Sequence, residues 1–190
     1  MVLGGGAMRN AVFIERDGIL NLPKVEGQYQ IAPRILNELV LNRAAGPALK
    51  ELKEAGFVLI ATTNQPGVSR GYIPRRELDF MHGVMQKAFA LDDIMMCLHD
   101  EADRCPCRKP KPGLFREAAF KWQLDLDHSF VISDKWQDAT AAQNAGCTSI
   151  LIRSPWNGGG HHDFKVESVE AAVAKVLQLQ GQNVFGCLGV

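Results

Sequence analysis

No apolar run in this chain approaches the roughly 20 residues of a membrane-spanning helix, and residues 1–8 lack the basic start and apolar stretch of a secretory signal. Charge of one sign is not in excess: Lys plus Arg and Asp plus Glu number 21 each, so no overall field draws the chain to nucleic acid or to an anionic membrane. Any anion recognition must be local. Internal repeats and low-complexity domains are absent too, which excludes solenoids. These absences predict a cytoplasmic monomer whose partner is a small molecule. What is present is 190 residues at 46% hydrophobic content, enough for one good core and slightly long for one average domain. Residues 9–180 read as a single domain, with Gly4-Gly5-Gly6 in a flexible N-terminal lead over 1–8 and a tail over 181–190.

Short apolar runs alternate with amphipathic segments. The runs are 11–14, 58–62, 94–98, 129–132 and 149–152, and helical patterns occupy 45–55, 74–90, 114–123, 137–145 and 166–179. Pro74 suits a first helical turn, and Gly56 and Gly146 suit the position just past a helix end. Strands alternating with helices of this length predict an α/β fold, a parallel sheet covered on both faces. Residues 20–41 and 154–164 lack a clear period and read as surface loops, where specificity tends to sit.

The chemistry gathers where the strands end. Glu15-Arg16-Asp17-Gly18-Ile19 follows the first run directly, placing two carboxylates two positions apart, and residues i and i+2 of a strand share a face. The second strand ends in Thr62-Thr63-Asn64-Gln65, a set of hydroxyl and amide donors. After the third comes Arg108-Lys109-Pro110-Lys111-Pro112-Gly113, with three cations in four positions. The fourth runs into Ser133-Asp134-Lys135-Trp136-Gln137-Asp138, another carboxylate pair beside a lysine. Each alone has an ordinary reading as a turn, a cap or a solvated face. Together, at successive carboxyl ends where open α/β sheets bind ligands, they offer carboxylates for a metal and donors and cations for a phosphate.

In this order the motifs resemble those of the haloacid dehalogenase (HAD) superfamily: an Asp-x-Asp-Gly, a Ser or Thr ending a strand, a Lys, and an acidic pair. The resemblance covers residues 9–155 and points to the branch of heptose bisphosphate and histidinol phosphate phosphatases. Phe13 to Asn21, Thr63-Asn64-Gln65-Pro66-Gly67-Val68-Ser69-Arg70-Gly71, Cys107-Arg108-Lys109-Pro110-Lys111-Pro112-Gly113 and Asp134-Lys135-Trp136-Gln137-Asp138 carry it. It implies a three-layer Rossmann-like fold. The stretches 20–44 and 68–94 are too short for the family's large cap domain, so an open site is expected.

Five cysteines are present, and Cys97-Leu98-His99 with Cys105-Pro106-Cys107 sets three of them and a histidine in a spacing that can close a tetrahedral zinc site over 97–107. The plain alternative is a core thiol on a strand and two loop thiols. In the resembled phosphatases the same pattern holds a structural zinc, which here would anchor the loop aiming Arg108 and Lys109. Cys147 and Cys187 are left over, as a core thiol and a tail thiol.

By the resemblance, Glu15 is the nucleophile, Asp17 the general acid/base, and Glu15, Asp17 (with its backbone carbonyl) and Asp134 the Mg²⁺ ligands. Thr63, Asn64, Arg108 and Lys109 would bind phosphate, with Lys135 and Asp138 in support and Asp138 orienting a lysine. The chain departs from the family at one point, because Glu15 stands where the nucleophilic Asp belongs. Glu reaches about 1.5 Å further, and misplacing a reacting group by about 1 Å can cost on the order of a hundredfold. Two functional readings stand side by side: a Mg²⁺-dependent phosphatase of a small phosphorylated sugar, and an impaired paralogue that binds a phosphometabolite. A response-regulator-like receiver would share the acidic rim but need neither the zinc quartet nor the Arg108-Lys109 pair. Residues 63–71 favour the heptose bisphosphate side of the branch over histidinol phosphate.

Overall fold

The computed structural model describes the backbone over residues 8–186 and side chains as far as 181, so most of the expected lead, the end of the tail and Cys187 lie outside the described residues. Ala-Val-Phe-Ile-Glu forms β1 (Ala11–Glu15), buried at every position, as a strand covered on both faces must be. Around it a six-stranded sheet runs in the order β5-β4-β1-β6-β7-β8. Its members are β4 (Val58–Asn64), β5 (Asp93–Cys97), β6 (Phe130–Ser133), β7 (Thr148–Ile152) and β8 (Phe164–Val166), and every pairing is parallel.

The pleat sorts β1 into two cores. Val12 and Ile14 face one layer with Leu49, Leu52, Phe57, Phe130, Val173 and Val176. Ala11 and Phe13 face the other with Leu114, Phe115, Ala141 and Ala142. Helices α1 (Ala45–Glu54) and α5 (Val169–Gly186) therefore cover the first face, and α3 (Gly113–Trp122) and α4 (Trp136–Ala145) the second. Helix α2 (Arg75–Ala88) inserts Leu78 and Met81 into a smaller cluster with Ile73. The result is the expected three-layer Rossmann-like α/β fold. Between β1 and β4 stand only a hairpin, a short 3₁₀ turn and α1, and between β4 and β5 only α2, so no large cap covers the sheet's carboxyl rim. Among the described residues no helix is long and apolar enough to cross a membrane.

Two elements differ from the sequence reading. Residues 20–41 contain an antiparallel hairpin of β2 (Lys24–Glu26) and β3 (Tyr29–Ile31). Residues 164–166 form edge strand β8 rather than loop and helix, and α5 begins later, where the Ser168 hydroxyl accepts a hydrogen bond from the Ala171 amide at 3.2 Å. Three-residue strands with exposed faces carry too few alternations to register as a period.

Two glycines fix the approach of loops to the rim. Gly18 has φ +106°, and a Cβ there would lie 2.8 Å from the Asp134 carboxyl carbon, so the turn after β1 can close on the end of β6 only without a side chain. At Gly113 a Cβ would lie 2.7 Å from Cys107 Cα and 2.8 Å from the Pro106 carbonyl carbon, backbone atoms that cannot step aside. Gly46, in α1, has open space. Gly113→Ala is therefore expected to lower stability by about 1–3 kcal/mol in urea unfolding, while Gly46→Ala is neutral or gains a few tenths; equal midpoints for the two would contradict the packing described.

Candidate active site

Because β1 lies between β4 and β6, its last residue emerges at the middle of the rim, with Glu15 opposite Thr62. Four carboxylates (Glu15, Asp17, Asp134, Asp138) meet three cations (Arg16, Lys109, Lys135) there, and all but Lys135 are buried. The ammonium of Lys109 bonds Glu15 Oε2 and, at 2.5 Å, Asp138 Oδ1. Lys135 bonds the backbone carbonyl of Asp17 and lies 3.3 Å from Glu15 Oε1 and 3.7 Å from Asp134 Oδ1. Glu15 Oε1 also accepts the Asp17 amide at 3.2 Å. Burial alone would raise the Glu15 pKa, but Lys109 and Lys135 outweigh it and hold the carboxyl below its usual range. Burial lifts Asp138 to about 7 against the pull of Lys109, with Glu15 adding to the rise, and burial also raises Asp134.

The donor set fits a hard divalent cation. Glu15 Oε1, the Asp17 carbonyl and Asp134 Oδ1 converge on one point, and Asp134 Oδ1 is buried without a hydrogen-bond partner.

Asp17 is the most heavily bonded carboxylate of the four. Its Oδ1 accepts from Arg16 Nε at 3.2 Å, Arg16 Nη2 at 2.9 Å and Asn21 at 3.1 Å. Its Oδ2 accepts from Gln65 at 2.8 Å and from the Thr63 hydroxyl at 3.4 Å. Burial opposes ionisation, yet Arg16 and Lys135 prevail and bring its pKa to about 2. Arg16 is wholly buried and directs Nη1 at His82 Nε2, 3.1 Å away. A guanidinium can only donate, so His82 accepts with a neutral ring; burial and Arg16 hold its pKa at about 4.

The expected residues do assemble, with two placements that the sequence does not anticipate. Thr63 is fully buried beneath the rim, its hydroxyl turned to Asp17 rather than toward the cleft. Asn64 lines the cleft but spends its amide on the Lys109 backbone, in reciprocal 3.1 Å bonds to N and O. The Lys109 ammonium lies on Asp138, the orientation expected of that pair. Arg16, Asn21 and His82 belong to the site although the sequence motifs do not single them out, and Gln65 stands in the sequence only as one of the strand-end donors. Arg16 could have been found from its place at the end of a buried strand, since a buried charge must be paired, and His82 from its position on the apolar face of α2 with Leu78 and Met85.

Above this floor lies a cleft of about 370 Å³. Gln30 of the hairpin reaches Asp134 Oδ2 at 2.9 Å, so the segment read as a loop supplies one wall. Arg34, Arg70 and Arg108 give the outer wall a cationic lining. Arg34 stacks over Tyr72 at 5.4 Å, Arg70 pairs with Asp100 at 2.5 Å, and Arg108 donates to the His99 carbonyl at 3.2 Å.

Beside it, Cys97, His99, Cys105 and Cys107 bring one ligand atom each to within 4.8 Å of one another. Sulfur separations of 3.3–3.6 Å and a 3.3 Å gap from Cys107 Sγ to His99 Nδ1 approach the roughly 3.7 Å edge of a tetrahedron with Zn–S near 2.3 Å. All four described cysteines are free thiols, and Cys147 is buried away from the quartet.

Comparison with known proteins agrees with this geometry. A family model described as HAD-hydrolase-like matches residues 106–177. D-glycero-beta-D-manno-heptose-1,7-bisphosphate 7-phosphatase of Helicobacter pylori is 33% identical over 76% of this chain and 85% of its own length. The histidine biosynthesis bifunctional protein HisB of Legionella pneumophila is 34% identical over 76% of this chain and 42% of its own. Among solved structures, D,D-heptose 1,7-bisphosphate phosphatase from B. bronchiseptica, complexed with magnesium and phosphate, superposes with a TM-score of 0.77 at 28% identity, covering 89% of this chain and 98% of that one. The chain belongs to the HAD superfamily of phosphoric monoester hydrolases, in the group that contains the heptose-1,7-bisphosphate 7-phosphatases.

Proposed function

We propose that this chain hydrolyses a phosphomonoester of a small phosphorylated sugar of the heptose bisphosphate kind, with Mg²⁺ held by Glu15, the Asp17 carbonyl and Asp134. The observation that carries this reading is the convergence of those oxygens and the Lys109 ammonium on one buried rim. Bound there, the metal would offset charge on the phosphoryl oxygens. The Glu15 carboxylate attacks phosphorus, and the bond from phosphorus to the sugar oxygen breaks as Asp17 gives that oxygen a proton. Asp17 then takes a proton from a water that attacks the same phosphorus, releasing phosphate and freeing Glu15. Lys109 holds a phosphoryl oxygen throughout. The cationic wall of Arg34, Arg70 and Arg108 suits a substrate with a second anionic group, as in the substrate for which the Helicobacter relative is named.

Two observations favour a slower variant of this reading, in which binding outlasts chemistry. Glu15 Oε2 is committed to Lys109, and every lone pair of Asp17 faces a donor at a pKa of about 2, a poor starting point for giving up a proton at neutral pH. Glu15→Asp is expected to raise kcat on sugar bisphosphates or an aryl phosphate by about a hundredfold, with little change in phosphate affinity. Measured rates no faster than those of the unmodified chain would instead support a phosphometabolite-binding role.

Removing the charge of Lys109 strands two buried carboxylates. Lys109→Met is expected to lose about 3–5 kcal/mol of stability and to weaken inorganic phosphate binding by roughly tenfold or more. Adding Asp138→Asn should recover part of the stability but none of the phosphate affinity, as read by urea unfolding and calorimetry. Full phosphate affinity in either variant would remove Lys109 from the phosphate site.

Zinc in the Cys97-His99-Cys105-Cys107 quartet would set the loop that aims Arg108 and Lys109. Elemental analysis of protein purified without added metal should find about one Zn²⁺ per chain, and a strong chelator should lower the melting temperature and weaken phosphate binding. Zinc-free protein with unchanged melting would rule out a structural metal.

A further inference from the structure

Of the three cations in the rim, two have permanent partners. Arg16 is locked between Asp17 and His82, and Lys109 between Glu15 and Asp138. Lys135 is placed differently. Its ammonium contacts the Asp17 carbonyl, Glu15 Oε1 and Asp134 Oδ1, the same three oxygens assigned above to Mg²⁺. The fit is electrostatic rather than geometric: at 3.7 Å it makes no hydrogen bond to Asp134 Oδ1, which stays unpartnered although buried. A cation with ligands at about 2.1 Å would satisfy that oxygen, which an ammonium 3.7 Å away does not. The side chain is also the most exposed of the cluster, at 21%, and lines the cleft. A flexible four-carbon stem that already touches solvent can withdraw its charge once a metal replaces it on these oxygens.

We propose that Lys135 is a tethered cation competing with the divalent metal for one set of oxygens, so that metal loading is an exchange in which the lysine swings from Glu15 and Asp134 into the cleft. The proposal rests on the Mg²⁺ reading above and adds that this chain sets its own metal affinity. In the exchanged position the ammonium would join Arg34 and Arg70 among the cations lining the cleft and add to the charge facing an anionic substrate.

Two measurements test it. Calorimetric titration of Mg²⁺ into Lys135→Met, which keeps the stem and loses the charge, should show affinity at least about tenfold above that of the unmodified chain, with Lys135→Arg no tighter than the latter. In the unmodified protein, amine labelling read by peptide mass spectrometry should show Lys135 reactivity rising several-fold on adding Mg²⁺, while Lys109 stays protected; this arm decides even if Lys135→Met folds poorly. Mg²⁺ that binds the unmodified chain without raising Lys135 reactivity, or equal affinity in Lys135→Met, overturns the exchange and leaves the metal site standing. No Mg²⁺ binding to any form overturns the exchange together with the reading beneath it.

Discussion

Taking a carboxylate out of water costs several kcal/mol unless a cation goes with it, and the rim of this sheet buries four carboxylates within reach of one another. The surrounding structure is arranged around that constraint. Asn64 clamps the Lys109 backbone so that its ammonium falls between Glu15 and Asp138. His82 accepts from Arg16, which frees the guanidinium to grip Asp17. Gly18 lets the turn after β1 press on Asp134, and Gly113 lets the start of α3 pack against the backbone of Pro106 and Cys107 in the loop that delivers Lys109. Four carboxylates meet three cations, so the rim carries no surplus positive charge to oppose a metal.

Much of this was legible in the residues. The continuous apolar run of β1 could only be a strand buried on both faces, and its five burial positions agree. The carboxylates, the lysines and the Cys/His spacing stood at consecutive strand ends, so a parallel sheet had to gather them on one rim. What escaped has a common cause. The Arg16–His82 contact and the pairing of β8 with β7 join residues 66 and 14 positions apart, and the hairpin of β2 and β3 is built from strands of three residues, where local periodicity carries no signal. The turn of Thr63 toward Asp17 likewise depends on a carboxylate 46 positions away in sequence, which is a fact of packing.

Glu15 does not disturb the fold. Its extra methylene is absorbed by bonds to the Asp17 amide, Lys109 and Lys135, so both oxygens are committed. On the proposed mechanism, Glu in place of Asp would act on chemistry rather than stability, because an attacking oxygen would have to leave a buried ion pair and meet phosphorus at the correct angle. On the proposed reading, recognition would rest on Lys109 and on Arg34, Arg70 and Arg108, which line the cleft.

The most direct measurement of the central claim is a crystal structure of the unmodified chain with Mn²⁺, a Mg²⁺ substitute visible by anomalous scattering, and inorganic phosphate. The expected result is one metal bonded to Glu15, the Asp17 carbonyl and Asp134, with a phosphate oxygen on it and another on Lys109. A metal found elsewhere, or a phosphate that touches neither the metal nor Lys109, would contradict the assignment of this rim as a phosphoryl-transfer site.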